Sequence, residues 1–362
     1  MNKKNKKILI MSAPIGSGHT LAALALKEEF EKNSNCEVVM GNAFDFIPGF
    51  FGKFILQTYL FVLKHCPFLY KYAYQWGNKE TGSLWLRNFI NGTMAWLAEG
   101  YLKKLAPDCV IATHATPAGI ISSYKARHPE LKITLVSIVT DFSIHRWWVC
   151  QGTDAYFLAA DDLASIDTLK TTNIYAYGIP VRTAFRRQYD RLLLRKHFAW
   201  PNNIKVCLLM GGGEGLLAMQ DILLAAQKNV LTNIHFVAIT GRNTELAKEL
   251  KKDFPQLEVY GFTDAIPELM HAADIIVTKA GGLTAAETIT TNLQYIIYGP
   301  LPGQEEGNAA YLVHKRLAAV AHTPTELFAE LKKNSIFVEP QILKTQRANA
   351  TVNICAKILE LL

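Results

Sequence analysis

The stretch KAGGLTAAET at residues 279–288 decides how the chain is interpreted. It follows an apolar run from Asp274 to Thr278 and precedes a segment of helical character. A glycine pair between a strand and a helix leaves backbone N–H groups free at the positive end of the helix, where a diphosphate can bind. The pattern therefore predicts an anion site at Gly281, Gly282, Leu283 and Thr284.

Polar residues close to this stretch indicate what the anion belongs to. Glu287 falls one turn inside the predicted helix, from where a carboxylate can reach the two hydroxyls of a ribose. The segment GPLPGQEEGN at residues 299–308 follows the next apolar run and supplies Gln304, Glu305 and Asn308. This arrangement is typical of a site for a nucleotide that carries a second polar group, and a nucleotide sugar fits it best.

Apolar, strand-like runs alternate with helical stretches along most of the chain, which is the pattern of parallel βαβ units. We predict a first series of strands at 7–13, 36–40, 108–113, 132–139, 154–159 and 173–177. A second series is predicted at 205–210, 234–240, 257–261, 274–278 and 294–298. Helices are predicted at 20–31, 84–105, 117–127 and 265–271.

The length of 362 residues exceeds the usual size of one hydrophobic core. We therefore expect an α/β protein of two Rossmann-like domains, with the ligand site in the cleft where the carboxyl ends of the strands face each other. The first domain is placed at residues 1–180 and the second at 181–340, and a last helix at 341–362 completes the chain.

Composition limits the classes of function. The six cysteines have no C-x-x-C spacing, so we expect reduced core residues in a cytoplasmic protein. The sequence contains no run of about 18 apolar residues, so we expect no transmembrane helix. A net charge of +7 over 362 residues does not indicate nucleic-acid binding, whereas it is compatible with contact to an anionic membrane.

The GSGH sequence at residues 16–19 follows the first apolar run. It lacks the third glycine of the dinucleotide fingerprint, so an NAD site is not expected. His19 at the start of a helix is the first candidate for a general base, with a capping or packing role as the alternative. Asp141 at the end of an apolar strand is the second candidate, and an ordinary turn or capping aspartate is an equally good interpretation.

Two further turns can contribute backbone amides. Gly211, Gly212 and Gly213 follow the first strand of the second domain without the G-K-[ST] ending of an ATP-binding loop. Gly261 and Phe262 precede another helix. A tight structural turn is the alternative in both places. No H-x-H, H-E-x-x-H or D-x-D pattern predicts a metal site, so helix amides would stabilise a departing diphosphate.

The segment at residues 44–76 contains twelve aromatic residues, while Asp45 is its only acid. Lys53, Lys64 and Lys71 lie between the aromatic residues. Rings and ammonium groups in this combination suit the headgroup boundary of a bilayer. The alternative is a pair of helices packed into the first domain.

Taken together, the motifs resemble the glycosyltransferase family that contains monogalactosyldiacylglycerol synthase, the bacterial processive diacylglycerol glucosyltransferases and, more distantly, MurG. Ala280 departs from the pattern, where many relatives carry proline, and so does Ser17 between the first two glycines. Neither change removes a hydrogen-bond donor or a charge. The matching segments are 16–19, 140–142 with His145 and Trp148, 178–182, 211–213, 261–262, 279–288 and 299–308.

The resemblance implies a GT-B fold whose last helix crosses back to the first domain. It also implies an inverting enzyme that transfers glucose or galactose from a UDP-sugar to diacylglycerol, without a metal or other cofactor, at the inner face of the cell membrane. Transfer of N-acetylglucosamine to a polyprenyl-linked acceptor is one alternative, and a membrane-bound UDP-sugar sensor without turnover is another.

The same resemblance assigns roles to the residues named above. His19 or Asp141 would deprotonate the lipid hydroxyl, and Gly261 with Phe262 would frame the uracil. Glu287 would bind the ribose. The remaining residues expected to contact the UDP-sugar are Gly18, Gly211, Gly212, Gly213, Gly281, Gly282, Leu283, Thr284, Gln304, Glu305 and Asn308.

Overall fold

The computed structural model describes residues 5–14, 16–46, 54, 57–58, 61–62, 66–78, 84–165, 173–229, 233–333 and 348–362. The chain forms two compact units. One unit contains Met1–Thr183, Pro302–Gln304 and Gln346–Leu362, and the other contains Ala184–Leu301 and Glu305–Thr345. We predicted the boundary at residue 180, and the structure divides the chain after Thr183.

The first unit is built on a parallel sheet of six strands in the order β2-β1-β3-β4-β5-β6. Both faces of the sheet are buried, which explains why its strands are apolar without a polar alternation. Ile8 and Ile10 lie on one face, while Leu9 and Met11 lie on the other. The strands are β1 Lys7–Ser12, β2 Glu37–Asn42, β3 Cys109–Ala112, β4 Thr134–Ile138, β5 Ala155–Phe157 and β6 Ile174–Tyr175.

The second unit holds another parallel sheet of six strands, in the order β12-β11-β10-β7-β8-β9. Read from its own first strand, this is the order of the dinucleotide-binding fold. The strands are β7 Lys205–Met210, β8 Ile234–Ile239, β9 Glu258–Tyr260, β10 Ile275–Thr278, β11 Gln294–Tyr298 and β12 Ala319–Ala321.

Helices cover both sheets. Those that begin in the first unit are α1 Ser17–Asn33, α2 Pro67–Asn78, α3 Leu84–Leu105, α4 Ala115–Arg127 and α5 Thr183–Arg186. They are followed by α6 Arg191–His197, α7 Met219–Lys228, α8 Thr244–Asp253, α9 Ile266–Ala272, α10 Gly282–Thr291, α11 Gln304–His314 and α12 Pro324–Lys332. The last is α13 Ala350–Glu360, and short 3₁₀ helices lie at Arg146–Trp148 and Asp161–Ser165.

The last helix returns to the first unit, as predicted. Ile354 and Ile358 of α13 are fully buried in the same cluster as Leu26 and Phe30 of α1. Thr351 Oγ1 also donates a hydrogen bond of 2.7 Å to the carbonyl oxygen of Val181. Residues 341–347 of the predicted helix lie outside the described residues.

The aromatic segment at 44–76 divides between core and surface. Phe44 and Phe46 pack against the core cluster of the first unit. The exposed aromatic residues of this segment are Phe54, Phe61, Phe68 and Tyr72. Other predicted members, namely Phe50, Phe51, Lys53, Tyr59 and Lys64, lie outside the described residues.

Helix α3 adds a surface that the sequence interpretation did not predict. Met94, Ala98 and Leu102 face the core, as an amphipathic helix requires. On the opposite side Trp85, Phe89 and Trp96 are 66 %, 68 % and 66 % exposed. Helix α3 is therefore apolar on both sides. Among the described residues, no helix is both long and apolar enough to span a bilayer.

Candidate functional site

Each sheet has one point where the strand order reverses. In the first sheet it lies between β1 and β3, and in the second between β7 and β10. Ligands of open α/β sheets bind at the carboxyl ends of the strands beside such a point. The loops that follow these four strands carry His19, His114, Gly211–Gly215 and Gly281–Thr284.

His19 lies in the first turn of α1 and is fixed by two contacts. Its Nδ1 is 3.0 Å from the carbonyl oxygen of Thr113 and 2.7 Å from Thr140 Oγ1. A carbonyl oxygen can only accept a hydrogen bond, so Nδ1 carries the proton in the neutral ring. The lone pair is then on Nε2. Gly16 is the N-cap of α1, so His19 is not a capping residue.

Burial lowers the pKa of His19 below its ordinary value. The negative charge of Asp141 and the hydrogen bond to Thr113 act in the opposite direction, and burial outweighs them. The imidazole is therefore neutral near pH 7, which is the form that can accept a proton from an attacking hydroxyl.

Asp141 follows β4 and is buried. Its charge acts on three side chains, namely His19, His145 and Tyr74. Burial, followed by the charge of Asp141, raises the pKa of Tyr74 to about 12, so this phenol keeps its proton. The two predicted base candidates, His19 and Asp141, therefore interact electrostatically. Their positions after two strands of one sheet had indicated this.

The loop after Asp141 is held by the aromatic helix α2. His145 Nδ1 accepts a hydrogen bond from the Trp147 amide, so Nε2 carries the proton and donates it to the Tyr74 carbonyl oxygen at 3.1 Å. A Cβ atom on Gly77 would lie 3.1 Å from the His145 ring, so glycine permits this close approach. The Arg146 amide donates to Asn78 Oδ1 at 3.0 Å.

His114 is a residue of this site that the sequence interpretation missed. Its ring centroid lies 4.6 Å from that of His19, at an interplanar angle of 80°. The available signal was its position directly after the apolar run that forms β3.

In the second unit, α10 begins directly beside the reversal point of the sheet. Gly281 is its N-cap and provides no side-chain cap, and its first turn contains no acid. The amides of Gly282, Leu283 and Thr284 belong to the first turn, which has no intrahelical acceptor. Together with the helix dipole they form a site with the polarity that an anion needs.

The loop after β7 is compact and locked to the loop after β8. The Arg242 amide donates to the Gly213 carbonyl oxygen at 2.9 Å. Gly241 has a φ of 59°, and a Cβ there would lie 2.5 Å from the same oxygen, so only glycine fits. Within the part of the chain that the structure describes, the amides of Gly211 and Gly215 are bonded, and those of Gly212 and Gly213 have no acceptor.

The loops after β8 and β9 meet through side chains. Arg242 lies 4.8 Å from the ring centroid of Phe262 and forms an ion pair of 3.1 Å with Glu214. Phe262 is exposed and Gly261 precedes it. The sequence interpretation named Phe262 and missed Arg242.

Two predicted donor-site residues have side-chain partners within the second unit, and a third is buried there. Glu305 Oε1 is 2.7 Å from Lys279 Nζ, and Glu305 Oε2 accepts from the Leu301 amide at 2.9 Å. The buried Asn308 donates from Nδ2 to the Ala280 carbonyl oxygen at 2.9 Å. Glu287 is only 5 % exposed. These contacts fix the loop before Gly281, and the contacts of all three residues with a ligand stay predictions.

The remaining predicted residues occupy the expected elements. Gly18 lies in the first turn of α1, and Gln304 is the first residue of α11. Within the described ranges, no three metal-ligating side chains cluster in a way that could hold an ion.

Two family models match the chain, one in each half. Residues 19–181 match the monogalactosyldiacylglycerol (MGDG) synthase family. Residues 206–357 match the C-terminal domain of glycosyltransferase family 28.

Similar curated proteins extend over both halves. A processive diacylglycerol beta-glucosyltransferase of Bacillus cereus (strain B4264) is 28 % identical over 338 residues, which cover 90 % of this chain and 85 % of that protein. A protein of the same name from Bacillus thuringiensis (strain Al Hakam) is 27 % identical over the same shares.

Solved structures identify the fold. MurG of Acinetobacter baumannii has a TM-score of 0.62 and 18 % identity, covering 98 % of this chain and 99 % of that chain. The glycosyltransferase SnogD from Streptomyces nogalater has a TM-score of 0.63 and 12 % identity, covering 99 % and 100 %. The chain has the GT-B fold, as predicted. From its two family models and the curated matches, it is a glycosyltransferase similar to monogalactosyldiacylglycerol synthase and to the processive diacylglycerol β-glucosyltransferases.

Proposed function

We propose that the protein is an inverting glycosyltransferase that moves a hexose from a UDP-sugar to diacylglycerol and so forms a β-glycosyldiacylglycerol. The observation that carries the proposal is the match to a diacylglycerol beta-glucosyltransferase along 90 % of the chain. The geometry agrees with it, because a helix N-terminus suited to a diphosphate and a neutral histidine each lie beside a reversal point of a sheet.

The second domain would bind the donor. Amides of Gly282, Leu283 and Thr284 bind the diphosphate, and their partial charges stabilise it as it departs. No metal or other cofactor is required in this scheme. Glu287 binds the ribose.

Backbone groups of Gly261 and Phe262 frame the uracil in this scheme. Gln304 and Glu305 bind the hexose, and Glu305 can do so through the lone pairs that its bonds to Lys279 and Leu301 leave available.

The first domain would activate the acceptor. Nε2 of His19 takes the proton of the lipid hydroxyl, and the oxygen attacks the anomeric carbon from the face opposite the diphosphate. A bond forms between this oxygen and the anomeric carbon, while the bond from that carbon to UDP breaks. The configuration is thereby inverted. Asp141 stabilises the imidazolium that forms, and it is the second candidate for the base itself.

We also propose that the protein is peripheral on the inner face of the cell membrane. The exposed rings of Phe68 and Tyr72 on α2 and of Trp85, Phe89 and Trp96 on α3 are supporting observations. Basic residues in the last turn of α3 suit an anionic surface. Single exposed apolar residues need no explanation, whereas five exposed aromatic rings on two consecutive helices do.

One alternative differs in its acceptor, and another has no turnover. The likeness to MurG is one of fold, so transfer of N-acetylglucosamine to a polyprenyl-linked acceptor has less support than transfer to diacylglycerol. A UDP-sugar sensor would bind the donor without releasing UDP.

UDP release separates these functions. Protein with UDP-glucose or UDP-galactose should release UDP only when diacylglycerol vesicles are present. Release that needs a polyprenyl phosphate acceptor would favour the MurG-like reaction. Donor binding without release under any acceptor would favour the sensor.

A further inference from the structure

His114 lies at the reversal point of the first sheet, opposite His19. It directly follows Thr113, whose carbonyl oxygen accepts a hydrogen bond from Nδ1 of His19. The Thr113 hydroxyl in turn donates to the His19 carbonyl oxygen at 3.0 Å. The two histidines are therefore fixed to one another through a single residue.

The protonation of His114 follows from its role as the N-cap of α4. Its Nδ1 accepts a hydrogen bond of 3.1 Å from the Thr116 amide, so the proton of the neutral ring is on Nε2. An imidazole is not needed for this cap, because asparagine, aspartate, serine and threonine are the preferred capping side chains. Some other property of the ring has to explain why a histidine occupies this position.

That property is its contact with His19. The two rings meet edge to face with centroids 4.6 Å apart. The ring centroid of Trp148 lies 6.3 Å from that of His114. Burial lowers the pKa of His114 well below its ordinary value, and the neighbouring His19 lowers it further. Because two adjacent imidazolium ions would repel each other, His114 is neutral when His19 accepts a proton.

We propose that His114 is a positioning residue for His19, holding the ring with its Nε2 lone pair available and excluding water from one side of it. This inference rests on the proposed role of His19 as the base. The titratable groups that face His19 within the described part of the first unit are Asp141, from the loop after β4, and His114, from the end of β3.

A substitution of His114 by asparagine tests this role, because asparagine preserves the cap and removes the ring. We expect His114→Asn to unfold at the wild-type temperature and to keep the wild-type KM for UDP-glucose. Turnover with diacylglycerol should fall about tenfold, at the low end of the range for perturbing a general base. The acidic limb of kcat/KM should move to higher pH, because water then solvates the imidazolium of His19.

His114→Phe is the matched control, since phenylalanine keeps a ring beside His19 and loses the cap. It should lower the unfolding temperature and leave the acidic limb at its wild-type pH. A role in capping alone predicts the reverse pattern, with His114→Phe impaired and His114→Asn equal to wild type. That pattern would overturn the proposal.

A direct readout does not depend on activity. The pKa of His19 can be titrated by NMR with ¹³C-labelled histidine, its signal being identified by its loss in His19→Ala. The pKa should rise in His114→Asn by about half a unit or more, the size expected for partial loss of burial. An unchanged pKa would contradict the proposal. Full turnover of His19→Ala would instead refute the assignment of His19 as the base, whatever the titration shows.

Discussion

Lys279 and Glu305 form an ion pair of 2.7 Å between the loop that follows β10 and the first turn of α11. Their side chains are only 15 % and 14 % exposed. The second carboxylate oxygen of Glu305 accepts from the Leu301 amide. One side chain therefore ties together the two loops in which the donor site was predicted.

Breaking this pair should destabilise the second domain. We expect Glu305→Ala to lower the free energy of unfolding by about 3 kcal/mol, because the Lys279 ammonium would be left without its partner in a poorly solvated place. Lys279→Met combined with Glu305→Leu should lower the free energy of unfolding by less than the sum of the two single substitutions. Urea unfolding measures both, and a loss below about 0.5 kcal/mol for Glu305→Ala would place the pair in the class of weak surface pairs.

Glu287→Ala should weaken the binding of UDP by about 1.5–3 kcal/mol, the scale for losing a hydrogen bond to a charged group. Glu287→Gln keeps the size of this buried side chain and separates lost charge from lost packing. Calorimetric titration with UDP is the measurement. Wild-type affinity in the alanine variant would exclude Glu287 from the ribose.

His19→Ala should lower turnover about 10²–10⁴-fold with little effect on UDP binding. The wild-type rate should fall as the pH is lowered through the pKa of His19. Because this pKa is below the ordinary 6.5, the loss should occur on the acid side of that value. If His19→Ala keeps wild-type turnover and Asp141→Asn abolishes it, Asp141 is the base.

Replacing Trp85, Phe89 and Trp96 by serine should release the protein from anionic liposomes. Each inserted ring contributes up to about 1.5–3 kcal/mol. Leu224→Ser, an exposed change in the second domain, is the control and should leave binding intact. Neutralising Lys71 should weaken binding by about 1 kcal/mol in a salt-dependent way. Wild-type sedimentation of the triple variant would show that these rings do not contact the lipid.

The strands and the loop between β10 and α10 were predictable because they depend on local sequence. Lys205–Met210 and Gln294–Tyr298 have the predicted bounds, since runs buried on both faces must be continuously apolar. Strand β12 was missed because Ala319–Ala321 is three residues long at the edge of its sheet.

The pairs that complete each site were not predictable from single segments. His114 meets His19 from the loop after β3, far along the chain. Lys279 and Glu305 are well separated in the sequence, and only the fold brings them together. The outward rings of α3 were not predicted, because exposed and buried apolar residues look alike in sequence.

The central claim is tested most directly by the stereochemistry of the product. Protein, a UDP-hexose and diacylglycerol vesicles are incubated, the lipids are separated by thin-layer chromatography, and the anomeric coupling of the new glycolipid is read by proton NMR. We predict a β-linked hexosyldiacylglycerol, formed with UDP in equal amount and absent with His19→Ala. An α-linked product, or no glycolipid with either UDP-glucose or UDP-galactose, would contradict this account.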